Sequence, residues 1–249
     1  MKLSSLFLIA LLSFAAVSEA KVGLVSGGVH RLQPTKQSVE FSFCGLCNSF
    51  ISNGINQLLN AILQGGVIGG CGELCSKAFP NDSQKTEQQV CNLVCDAAGV
   101  YTFIHLVQRF SGDLDPIYFC ELAHACPVHD GGSARLDRLV VSPLSGPVGT
   151  TFEIDVAFTV FNQTSTGELV VSIQPPRSDA FGDGELDEGF APGQYAVKFS
   201  LQTQPSEQEA FEAGNYLVSF AACDGECGSK MPHSALLFQG VGNFTITAA

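Results

Sequence analysis

Basic side chains are scarce in this chain: 12 Lys and Arg stand against 24 Asp and Glu over 249 residues, a formal net charge of −12. That scarcity argues against nucleic-acid binding, which calls for a basic stripe. It also argues against simple Coulombic docking on anionic membranes at neutral pH. Long uncharged apolar runs are missing once the N-terminus is passed, so no later segment predicts a membrane-spanning helix. Residues 131–249 hold no Gly-x-Ser-x-Gly elbow and no paired-histidine metal motif, and His233 is their single histidine. Function has to be argued from a site, and none for catalysis is visible. The expectation is a protein that is not an enzyme and needs neither cofactor nor metal.

What is present begins with the N-terminus. Lys2 supplies a positive start, Leu6 to Val17 form an apolar stretch, and Ser18-Glu19-Ala20 closes it with small residues. This predicts a secretory signal peptide over residues 1–20, removed after Ala20. The mature chain is then expected to be secreted, with a vesicle or lysosome lumen as the alternative, and its thiols oxidised. In that compartment close cysteine pairs read as disulfides rather than as a zinc site. Asn81-Asp82-Ser83, Asn162-Gln163-Thr164 and Asn243-Phe244-Thr245 are glycosylation acceptors.

Ten cysteines are present, eight of them in four close pairs: Cys44/Cys47, Cys71/Cys75, Cys91/Cys95 and Cys120/Cys126. Residues four apart stack on one face of a helix, so each inner pair aligns two sulfurs along one stripe. Two antiparallel helices can then be bridged twice, Cys71–Cys95 and Cys75–Cys91. The outer pairs nest outside them as Cys44–Cys126 and Cys47–Cys120. Eight cysteines allow 105 pairings, and the nested set is the one that helical geometry prefers. Cys223 and Cys227 flank Asp224-Gly225-Glu226 and read as a fifth bridge across a tight turn.

Helical periodicity is confined to the part before about residue 127. Period-two alternation follows, in Phe152–Val160, Leu169–Ile173, Tyr195–Leu201 and Tyr216–Phe220. Further strands are expected around Leu136–Val141, Ala235–Phe238 and Phe244–Thr247. About seven short strands between Gly, Pro and Asn turns predict an antiparallel β-sandwich of immunoglobulin-like type. The expected division is an N-terminal segment 21–40, a helical domain 41–127, a linker 128–134 and a β-domain 135–249. Charge is uneven, net −3 over residues 21–130 and −9 over 131–249, as two bodies with different surfaces would give. The acidic stretch Asp179–Glu188 reads as a solvated loop in preference to a calcium site, because its spacing does not match an EF-hand.

Residues 41–126 resemble a saposin-like domain: a cysteine pair opens the first helix, paired cysteines sit in the middle helices, and Asp115-Pro116 leads into Cys120-x5-Cys126. The doubled inner pair departs from the single inner bridge usual in that family. The closing Cys120-Glu121-Leu122-Ala123-His124-Ala125-Cys126 is similar to the end of the pore-forming amoebapores. That likeness implies a pH-dependent association switch at His124, set against an ordinary polar helix residue. Together with Ser145–Thr150, Pro192-Gly193-x-Tyr195, Gln204-Pro205-Ser206 and Cys223–Lys230, the mature chain resembles the countin family of social amoebae.

The resemblance implies a secreted, non-enzymatic signalling protein, one component of a counting-factor complex that limits group size. Its partners would be other secreted subunits, and lipid or a membrane surface met by the saposin-like domain. The residues that would face lipid are Phe50, Ile51, Ile55, Leu58, Leu59, Val100, Ile104 and Val107. The alternative is a vesicular membrane-permeabilising or lipid-binding effector of amoebapore type.

Overall fold

The computed structural model describes residues 24–31, 43–64, 68–110, 115–206 and 210–248. The expected signal peptide and most of segment 21–40 lie outside the described residues.

The helical unit consists of α1 (Phe43–Gln64), α2 (Cys71–Ala78), α3 (Lys85–Ala98), α4 (Val100–Arg109) and α5 (Pro116–Leu122). On α1, Cys44, Cys47, Phe50, Ile51, Ile55 and Leu58 recur at helical spacing and are all buried, the amphipathic pattern that ties a surface helix to its core. Gly99 separates α3 from α4. Its φ of 80° is a left-handed conformation that glycine adopts without penalty, and the chain bends there by 106°. The start of α5 is capped by Asp115, whose carboxylate accepts from the Tyr118 N–H at 2.8 Å. Pro116 follows at the first helical position, where its missing N–H leaves no bond unmade.

Two sheets make up the rest. Their strands are β1 (Leu24–Arg31), β2 (Ser133–Ser142), β3 (Ser145–Pro147), β4 (Thr151–Asn162), β5 (Gly167–Gln174), β6 (Phe181–Asp187), β7 (Gly193–Gln202), β8 (Gly214–Asp224) and β9 (Ala235–Thr247). One sheet runs β1-β7-β4-β2 and the other β3-β9-β8-β5-β6. Neighbours are antiparallel except β3 and β9. Alternate residues from both sheets meet in one core. Phe152, Ile154, Val156 and Phe158 of β4, with Val197 and Phe199 of β7, face Leu169 and Val171 of β5 and Val218 and Phe220 of β8.

Besides the short, three-residue β3, three further features depart from the strand set that alternation predicts. β1, from the N-terminal segment, pairs with β7 (Leu24 opposite Leu201, Arg31 opposite Tyr195), so the helical unit is inserted between the first and second strands of the β-region. Second, β9 is one strand where two were expected. Gly240 and Gly242 resemble a turn in sequence, yet they stay in register opposite Phe220 and Val218. Third, the acidic stretch Asp179–Glu188 is largely strand: β6 pairs along its whole length with β5. Pairing to a neighbour decides strand formation where intrinsic preference is weak, as it is for Gly- and Asp-rich β6.

Candidate functional site

Five disulfides join Cys44–Cys126, Cys47–Cys120, Cys71–Cys95, Cys75–Cys91 and Cys223–Cys227. Two bridges between α2 and α3 lock that hairpin, and the outer two fasten the start of α1 to α5 and the segment after it. Inside this frame the eight residues singled out for lipid contact form the core. Phe50, Ile51, Ile55, Leu58 and Val107 are buried, while Leu59, Val100 and Ile104 pack against them. The apolar side chains that the closed bundle offers outward are different ones: Leu63 and Tyr101, 78% and 79% exposed, and Leu93, 55% exposed. Among the described residues no single helix is long and apolar enough to cross a membrane.

A groove of about 340 Å³ opens between α1 and the α2–α3 hairpin. Leu46, Phe50, Phe79 and Val90 give it an apolar lining, and Asn53, Gln57, Gln84 and Glu87 a polar one. Neutral amides and a single carboxylate beside an apolar floor suit an amphiphile better than a bare ion.

His124 lies beyond the end of α5, in the turn that terminates it, with φ 56°. It is exposed, and its backbone N–H bonds to the Glu121 carbonyl at 3.0 Å. The ordinary helix residue considered for this position is thus a left-handed turn residue, a conformation in which histidine, with asparagine and aspartate, is enriched among non-glycine residues. The histidine that meets a charged partner is His233. Its Nδ1 stands 2.7 Å from Asp130 Oδ1, and that hydrogen bond raises its pKa. Asn81, Asn162 and Asn243 are all exposed. Asn243 lies opposite Leu217 on the outward side of β8 and β9.

The densest polar cluster joins the helical unit to the sheets. Asp115 and Glu121 reach it from α5, Asp224 from the end of β8, and all three are buried. Ser229, two residues past the Cys223–Cys227 bridge, donates to Asp115 Oδ2 at 2.6 Å. Ser165, between β4 and β5, donates its hydroxyl to Glu121 Oε1 at 3.4 Å and its N–H to Asp224 Oδ1 at 2.8 Å. Thr166 donates to the Pro127 carbonyl at 2.8 Å. Apolar contact is thin here: Leu186 and Met231 pack against the helical core, and Tyr118 lies 6.4 Å, centroid to centroid, from His233.

Burial raises the Glu121 carboxyl to about 7, His233 pulling against it and Asp115 adding to the rise. Burial likewise raises Asp187, at the end of β6, to about 8, although the Gly189 N–H donates to it. Glu168 and Asp224 are raised by burial too. Among the described residues no group of three or more Asp, Glu, His or Cys side chains is arranged to hold a metal.

Asp115, Glu121, Asp224 and Ser229 stand in motifs quoted from the sequence, but none is read there as part of a polar contact. One signal was available: Glu121 stands four residues after Ile117 and three after Tyr118, on the face that both bury. A carboxylate on an apolar helix face is a buried charge or a contact with something polar.

Two family models match in order, the countin N-terminal domain over residues 41–124 and the countin C-terminal domain over 134–249. Strand β1 falls outside both. Countin-1 of Dictyostelium discoideum is 43% identical over 206 residues, covering 83% of this chain and 78% of that one. Countin-3 of the same organism is 40% identical over 203 residues, covering 82% and 89%. Likeness to solved structures is weak: the C-terminal domain of wzt matches at a TM-score of 0.37 and 14% identity, covering 50% of this chain and 83% of that one, too little to argue from. With both models in sequence and such identity across most of its length, the chain belongs to the countin family.

Proposed function

We propose that this chain is a secreted, non-enzymatic signalling protein of the countin type. It works as one subunit of a larger extracellular complex that limits the size of a multicellular group. The observation that carries this reading is the match to both countin models along with 40–43% identity to named countins. Secretion is supported by the N-terminal leader pattern and by five disulfides, which persist in oxidising compartments.

The helical unit is read as saposin-like, from its doubly nested bridges, and as the part that meets lipid. Two bridges between α2 and α3 oppose wide opening of the bundle, so contact is by docking through the groove and the exposed Leu63, Leu93 and Tyr101, without insertion of the core. The β-region is read as immunoglobulin-like and as the surface for other subunits. A Gly-x-Tyr phrase that occurs twice, Gly193-Gln194-Tyr195 and Gly214-Asn215-Tyr216, supports that reading. Tyr195 donates to the Ala191 carbonyl at 2.8 Å and Tyr216 to the Glu212 carbonyl at 2.9 Å, the phenol-to-upstream-carbonyl anchor common in such sandwiches.

Size-exclusion of conditioned medium from cells making the tagged full-length chain tests the proposal. Elution well above the 26.3 kDa chain mass, with other proteins co-eluting, is expected. Retention inside vesicles, with dye release from anionic liposomes in acid, would instead favour a membrane-permeabilising effector.

A further inference from the structure

The contact between the helical unit and the sheets is built more from acids than from apolar side chains. Asp115 and Glu121 come from α5 and Asp224 from β8. Asp187 and Glu185 of β6 and Glu168 of β5 crowd the same end, and Asp130 faces Asp224 from the segment after Cys126. Two histidines face them: His233 acts on Glu121 from the β8–β9 loop and His129 on Asp224. Lys230 and Glu226 line the neighbouring hollow with Asp115. The hydrogen bonds at the centre of the contact come from the neutral donors Ser165, Ser229 and the Cys227 N–H.

We propose that this contact is a pH-operated joint, closed in acid and loosened above neutrality, with Glu121 as its principal sensor. The chemistry all points one way. A carboxyl whose pKa is raised by the closed contact stabilises it fully below the ordinary carboxylate range, and that stabilisation is lost as pH rises through the raised value. For Glu121 the loss is complete as pH passes about 7. Glu168 and Asp224 shift in the same direction. His233, raised by Asp130, also contributes in acid and loses its charge as pH climbs. Carboxylates lowered in pKa, Glu73 and Asp137, lie at the surface away from the joint, where such pairs contribute little.

Loosening would uncover Tyr118, Leu186 and Met231 at the joint, while insertion between β1 and β2 keeps the helical unit tethered. The chain would thus pass through an acidic secretory lumen closed and become looser in a neutral or alkaline medium. The joint is independent of lipid binding; only its passage from lumen to medium rests on the proposed secretion.

The test is amide hydrogen exchange of the full-length, disulfide-bonded protein at about pH 5.5 and about pH 8.5, corrected for intrinsic exchange. Protection in α5 and residues 164–167 is expected to fall about tenfold or more, one pKa unit being a factor of ten, while β4 keeps its protection. Glu121→Gln keeps an oxygen for the Ser165 hydroxyl but cannot ionise, and is expected to remove most of that fall. Asp137→Asn is expected to leave it intact. Equal protection at both pH values in the natural chain, or an unchanged fall in Glu121→Gln, would overturn the proposal. Should Glu121→Gln not fold, small-angle scattering of the natural chain decides: a larger radius of gyration at the higher pH supports the joint, and an unchanged one overturns it.

Discussion

At residue scale, Gly167 shows how closely the chain passes itself beside the joint. A Cβ placed there would overlap the carbonyl oxygen of Cys223, backbone that cannot swing aside. Gly167→Ala is therefore expected to destabilise the protein by about 1–3 kcal/mol, the range for overpacking, seen as a lower urea midpoint with an unchanged slope. Tyr216 is fully buried and its hydroxyl donates to Glu212. Tyr216→Phe is expected to lose about 1 kcal/mol, the net worth of such a bond, in the same measurement. The sequence announced residues of these two kinds unequally. Tyr216 stands in a repeated phrase and alternates with apolar neighbours, so its inward direction could be read. Gly167 and Glu121 owe their importance to backbone and side chains 50 or so positions away, and no local pattern encodes such distant neighbours.

Among the elements, the α2–α3 hairpin is the most constrained. Cys75 and Cys91 lie 16 residues apart, inside Cys71–Cys95 at 24. Replacing Cys75 and Cys91 together with alanine is expected to lower stability by about 3 kcal/mol through release of a loop of that size, measured as a reduced midpoint in guanidinium. The hairpin was legible because cysteine spacing and apolar periodicity agree on a helix. β1 and β6 were not. The first carries Gly27-Gly28 and the second Gly182 and Gly184, and both are strands because a partner pairs with them rather than through composition. Merging the last two expected strands into β9 has the same cause: glycine breaks an isolated strand more readily than one held in register on both sides of the break.

For the whole molecule, the N-terminal strand ties the two parts together. β1 is the edge of its sheet and is irregular between Ser26 and Val29, which blunts it as a template; without it the regular ten-residue β7 becomes the edge. A chain lacking residues 24–31 is expected to self-associate, with sedimentation showing dimers and larger species where the full chain is a single smaller one. If the truncated chain sediments like the full one, β1 does not guard that edge. Division into a helical part and a β-rich part could be read from the change of periodicity near residue 127. Its topology could not, because a short glycine-containing stretch ahead of the helices gives no sign of which sheet, some 170 residues on, will accept it.

That arrangement also orders events on the ribosome. Leu24 emerges early, but its partner Leu201 is synthesised only after every cysteine between Cys44 and Cys126 has already been made. Domains tend to fold as units during synthesis, N-terminal first, so the helical part has time to oxidise while β1 still waits. The oldest strand thus finds its place late, once β7 has been made and with only β8 and β9 still to follow.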